Sequence, residues 1–206
     1  MKLLAVGVLT ILAVAPLAVA QDHFKSEIFG GYSLEHISAC GAAGDAFLPC
    51  ASFVSDGHSS PANYNGWNAS FTSFVHKFVG FTADFSGHYG TTVITGAETL
   101  SGSTSRYSYM FGPVAAFRKQ DYSAFVHALF GGVSGNFGKF SNTFGGGFTA
   151  QGYTQFAWAI GGGVDVNTTH HMALRLAQFD YERVNVPGGY PAVSGFRYSG
   201  GVVFKF

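Results

Sequence analysis

Phe78-Val79-Gly80-Phe81-Thr82-Ala83-Asp84-Phe85-Ser86-Gly87-His88-Tyr89 alternates cleanly along its length. Successive side chains of a strand point to opposite faces, so Val79, Phe81, Ala83, Phe85 and Tyr89 share one side and Gly80, Thr82, Asp84, Ser86 and His88 the other. The rings stand on the side without charge, and the charge keeps company with small residues. A soluble sandwich buries aliphatic side chains against a second sheet and turns its charges to water. Here the pattern suits a wall whose aromatic side meets acyl chains and whose small, ionic side encloses a narrow lumen.

Seven further runs repeat it, at about Lys25 to Ile37, Asn65 to Phe74, Arg106 to Arg118, Ser123 to Val133, Phe156 to Asn167, His171 to Tyr181 and Phe196 to Phe206. Two are imperfect. In the fifth strand, Phe125, His127 and Leu129 oppose Ala124, Val126, Ala128 and Phe130, so the faces are ambiguous; in the seventh, the register becomes uncertain at Gln178. Across the eight runs the charges fall on the small-residue side: Glu27, Glu35, Asp84, Arg106, Arg118, Asp165, Arg175, Arg197 and Lys205. Acids and bases are nearly balanced there, and burying unpaired ions is expensive, so these residues are expected to form a paired ionic network inside the lumen.

Composition agrees with a lipid-facing exterior. Of 206 residues only 11% are charged, 11 basic against 11 acidic, while hydrophobic residues reach 47%, with 22 Phe and 29 Gly. This is too apolar for disorder and too Gly-rich for a helix bundle. Zero net charge argues against nucleic acid as a partner. Residues 1–20 read as a signal peptide: Met1-Lys2, an apolar run, then Ala18-Val19-Ala20 as the cleavage signal. No later stretch has 18 consecutive apolar residues, so a membrane role for residues 21–206 must come from strands.

Connections alternate in length. Val75 to Lys77, Lys119 to Tyr122 and Thr168 to His170 are short turns. Ser38 to Tyr64, Gly90 to Ser105, Ser134 to Gln155 and Glu182 to Gly195 are long and rich in Gly, Ser, Thr, Asn and Pro. Short turns on one side, long loops on the other and an even strand count define an all-β, eight-stranded, antiparallel up-and-down transmembrane β-barrel, whose first and last strands must pair because an open edge has no water to bond in lipid. Cys40 and Cys50 share the first long loop of an exported chain and are expected to form a disulfide. In the third, Phe137, Phe140, Phe144 and Phe148 follow helical spacing, which predicts a short amphipathic helix on the rim, or aromatics folded over the mouth as a lid or contact surface.

Ser199-x-Gly201-x-x-Phe204-x-Phe206 resembles the C-terminal assembly signal of outer-membrane β-barrels, which implies the barrel-assembly machinery as a partner during insertion. Further segments carry the likeness along the chain: Glu27-Ile28-Phe29-Gly30-Gly31-Tyr32-Ser33, Gly66-Trp67-Asn68, Gly80 to Gly87, Phe111-Gly112-Pro113, Phe125 to Leu129, Gly161 to Asp165 and Asp180-Tyr181. Residues 21–206 thus resemble the small outer-membrane β-barrel domain family, eight-stranded relatives of the outer-membrane protein A transmembrane domain. The resemblance implies the outer membrane of a Gram-negative-type envelope, with its lipid and lipopolysaccharide as surroundings, and leaves activity open.

An eight-stranded lumen is nearly filled by side chains, which argues against a general pore. The leading expectation is a closed, non-enzymatic scaffold contacting an unknown extracellular ligand through its loops, followed by a narrow channel for ions or small solutes, then a lipid A-modifying enzyme. The deacylase His-x-Ser-Asn stretch is approached only by Lys139-Phe140-Ser141-Asn142, where lysine replaces the base. Asp84, Ser86 and His88 line one strand face without converging on one reacting atom. Neither Gly145-Gly146-Gly147 nor Gly161-Gly162-Gly163 has phosphate-loop spacing, and the histidines lack metal-ligand spacing, so no cofactor or metal is expected.

Overall fold

A computed structural model describes residues 26–37, 58–59, 62–95, 99–141, 147–149, 152–185 and 192–206. The proposed signal peptide, Cys40, Cys50 and Phe144 lie outside these residues. Eight long strands carry the fold: β1 (Ser26–Ile37), β2 (Ala62–His76), β3 (Val79–Thr95), β4 (Thr99–Arg118), β5 (Tyr122–Phe137), β6 (Tyr153–Asn167), β7 (Met172–Val184) and β8 (Val193–Lys205). Each pairs antiparallel with its neighbours in sequence. β1 also pairs with β8, from Glu27 opposite Lys205 to Ile37 opposite Gly195, which closes the barrel and leaves neither strand an open edge.

The faces follow the alternation. Phe81 is 60% exposed on the outer wall and Asp84 1% exposed on the inner one. Two rings of aromatics border the outer wall. Phe78, Phe117, Tyr122, Phe204 and Phe206 stand at the short-turn end, and Tyr32, Trp67, Tyr89 and Tyr107 toward the long connections. From Phe78 to Tyr89 the strand advances about 28 Å along the barrel axis at a rise of ~3.3 Å per residue and a tilt of ~40°, close to the thickness of the hydrocarbon.

Both ambiguous strands resolve. On β5, Val126 and Phe130 face outward while His127 and Leu129 are buried, so the inner face there is apolar in part. On β7 the register shifts between Arg175 and Gln178: relative to β6, Arg175 opposes Asp165 while Ala177 opposes Val164. This β-bulge restarts the alternation one residue late and turns Gln178, Asp180 and Glu182 inward, with Phe179 outward. The bulge would leave the Leu176 carbonyl without a partner in lipid; the Tyr198 hydroxyl donates to it at 2.9 Å.

Two expectations for the long connections are corrected. The described residues of Gly90 to Ser105 are strand, not loop: β3 and β4 stay paired up to Thr95 opposite Thr99. The β-branched residues of this stretch, Thr91, Thr92, Val93, Ile94 and Thr95, favour strand once the ladder is already formed. Nor do the described residues between Phe137 and Phe148 form a helix. Phe137 ends β5, and Lys139–Ser141 pairs with Gly147–Thr149, setting Phe140 opposite Phe148. Gly145 to Gly147 disfavours a helix, and a hairpin uses the strand ends already present.

Candidate functional site: the ionic lumen

Small residues on the inner wall make room for long charged ones. At Gly161 an added Cβ would collide with the Asp180 carboxylate and the Phe179 carbonyl, so glycine there is what lets Asp180 lie against β6. The nine charges expected inside all point there, joined by Asp180 and Glu182 from beyond the bulge and by His88 and His127.

The network forms tiers. Nearest the short turns, Arg118 donates to Glu27 at 3.0 Å and stacks 3.6 Å from the Phe74 ring centroid, while Lys205 donates to Asn167 at 2.6 Å. Above them Arg175 donates to Asp165 at 2.8 and 3.2 Å and to Gln178 at 2.7 Å, its guanidinium lying between the rings of Phe29 and Phe125. At the centre Arg197, 1% exposed, joins Asp180 at 2.7 Å and Asp84 at 2.8 Å, and donates to Ser86 at 3.1 Å. Asp180 also meets His127 Nε2 at 2.7 Å and accepts from Gln178 at 2.8 Å; Asn68 donates to Asp84 at 3.0 Å. Toward the long connections Arg106 bridges Glu35, at 3.3 Å, and Glu182. Beside this polar tier sits an apolar cluster of Met110, Leu129, Val133, Ala157, Ala159 and Val184.

The charges therefore bind strands that are remote in sequence, β1 to β4 through Glu27–Arg118 and β3 to β8 through Asp84–Arg197. Removing one partner of such a pair leaves the other buried and uncompensated.

One arrangement has the connectivity of a nucleophile, base and orienting carboxylate. Ser33 Oγ lies 2.9 Å from His88 Nε2, and His88 Nδ1 lies 3.4 Å from Glu35. Geometry makes it a packing contact. Ser33 is fully buried and shares its hydroxyl with Ser199 at 3.0 Å, so no reacting carbonyl has space to approach. Asp84, Ser86 and His88 do not converge on a reacting atom either: Asp84 and Ser86 are both engaged by Arg197, with Asn68 and Ser108 as their further partners, while His88 turns to Ser33. A cavity of about 20 Å³, room for roughly one water, lies on the short-turn side of Arg197; it is lined by Ser70, Thr82, His127, Arg175 and others, and Ser33 does not reach it. No group of three or more His, Cys, Asp or Glu residues that could hold a metal occurs among the described residues.

At the seam, Ser199 is buried, Gly201 stands opposite Gly31 where a side chain would strike the facing backbone, and Phe204 and Phe206 lie outside in the short-turn aromatic ring. The inward position of Asp180 and Glu182 was missed by sequence reasoning. Its only signal was the broken alternation at Gln178.

No protein-family model and no curated protein matches the chain. Solved structures do. The attachment invasion locus protein Ail of Yersinia pestis, in complex with the heparin analogue sucrose octasulfate, superposes with a TM-score of 0.55 at 18% identity, over 89% of this chain and 99% of that one. OprG of Pseudomonas aeruginosa gives 0.54 at 11% identity over 89% and 96%, and Neisserial surface protein A gives 0.51 at 14% over 87% and 97%. With its closed eight-stranded sheet, ionic interior and ring-bordered apolar exterior, the chain has the fold of the small outer-membrane β-barrels.

Proposed function

We propose that this protein is an exported, non-enzymatic scaffold of the outer membrane of a Gram-negative-type envelope, with a lumen closed to solutes and a surface presented on its long-connection side for contact with an extracellular partner. The observation that carries this reading is the filled interior, where paired charges and the Met110–Leu129–Val133 cluster occupy the space a bore would need. Planar-bilayer recordings test it. No steady conductance is expected, and a large, sustained, nonselective one would overturn the closed lumen. A second reading, a narrow conduit for ions, draws on the polar cavity on the short-turn side of Arg197, and the same recordings at high gain would expose it.

The partner is not read across from Ail. Between the strand ends on the long-connection side Lys139 is the only Lys or Arg, with Arg183 close by at the end of β7, whereas Asp45, Asp56 and Glu98 are acidic. Such a surface does not favour a polyanion. Its Phe, Tyr, Gly and Ser content supports an apolar or hydrogen-bonding partner, and heparin-type chains are expected not to be retained by the barrel at physiological salt. Ser199, Gly201, Phe204 and Phe206 would serve as the signal read by the barrel-assembly machinery. Deleting Phe206 is expected to lower the yield of folded barrel, as measured by heat-modifiable gel migration.

A further inference from the structure

Within β1 to β8 the outer wall carries one Lys, Arg, Asp or Glu side chain, Arg183 near the end of β7. The bulge puts it there: with alternation restarted at Gln178, Asp180 and Glu182 turn inward while Phe179, Tyr181 and Arg183 turn outward. Arg183 is exposed, opposite Trp158 on β6 and Ser194 on β8, and its side chain makes no ion pair or hydrogen bond with another described residue. Directly toward the bilayer centre lies an aromatic stack across three strands, Trp158 to Tyr181 at 5.9 Å and Tyr181 to Phe196 at 5.3 Å between ring centroids. Exposed Asn185 follows β7, its backbone N–H donating to the Phe156 carbonyl.

An arginine on a wall that otherwise excludes charge extends its guanidinium to the headgroup level, where its planar fork suits two phosphate oxygens. The rings beneath offer an apolar bed wide enough for more than one acyl chain, and Ser194 and Asn185 add hydrogen-bonding groups at the height of a sugar. We propose that Arg183 above the Trp158–Tyr181–Phe196 stack is a lipid-binding site on the barrel's outer wall, taking the phosphate of a phosphorylated, multiply acylated glycolipid in the leaflet on the long-connection side. The assignment rests on the outer-membrane reading, and it gives the surrounding lipid a specific point of attachment.

Trp158 reports on the site once Trp67 is replaced. Trp67→Phe protein in phosphatidylcholine nanodiscs, titrated with hexa-acylated diphosphoryl lipid A, is expected to show a saturable change in Trp158 emission. Adding Arg183→Gln is expected to weaken the apparent affinity about tenfold, with Arg183→Lys falling between. Equal binding of dephosphorylated lipid A, equal binding of phosphatidylglycerol, or an unchanged affinity in Arg183→Gln would each overturn the assignment. Heat-modifiable migration checks folding, and the comparison of lipids on the Trp67→Phe protein decides the matter even where an Arg183 variant fails to insert. Bilayer conductance does not involve this site, so failure here and failure of the closed-scaffold reading are told apart.

Discussion

Arg197 and Arg183 sit on adjacent strands, and the two walls of the barrel treat them in opposite ways. Arg197 points inward, is almost wholly buried, and is held by Asp84, Asp180 and Ser86. Arg183 points outward among rings, with no partner among the described residues. The inner wall tolerates charge because strands from around the barrel bring opposite charges within contact; the outer wall tolerates it only where the headgroups begin. What a charge costs here depends on its side of the sheet and its depth.

The contrast breaks most severely when the central cation is removed. Arg197→Met is expected to cost about 3–5 kcal/mol, because Asp84 and Asp180 remain buried without their shared partner. Urea unfolding in lipid vesicles, followed by tryptophan emission, measures it, and adding Asp84→Asn with Asp180→Asn should recover most of the loss. Full stability in the single variant would mean that the knot is not what braces β3 against β7 and β8. On the other wall Phe85→Lys, near mid-membrane, should destabilise by about 2–4 kcal/mol in the same assay, while the same change at a headgroup-level position costs little. The smallest expected effect sharpens the comparison at the bulge: Tyr198→Phe removes the donor to the Leu176 carbonyl and should cost about 1 kcal/mol. A neutral result would show that this carbonyl finds another donor.

Much of this architecture could be read from the chain alone, for a definite reason. In an up-and-down barrel each strand has one side to lipid and one to the lumen, so Phe81 against Asp84, or Trp158 against Asp165, states its own orientation. The three short turns were equally plain. Asp180 and Glu182 were not, because a single extra residue in the ladder reverses every later assignment and alternation carries no mark of it beyond the break at Gln178. Pairings such as Glu27 with Arg118 depend on the shear of the closed sheet, which local pattern does not contain. The helical spacing of Phe137, Phe140 and Phe148 misled, since spacing alone does not weigh the strand ends that a hairpin can extend.

The doubled position on β7 acts as a frame-setting comma in the chain. Deleting either Leu176 or Ala177 would remove the extra residue and let the strand run regularly from Arg175 to Gln178, with the two carboxylates still inward and Phe179 and Tyr181 still in lipid. A residue added just after Gln178 has no such escape: it would send both carboxylates into oil and drive the two rings into a space already full. Loss should therefore be far more forgiving than gain at this spot, and homologous barrels that lack the extra residue would be expected to keep ring and acid on the same sides along the remainder of the strand.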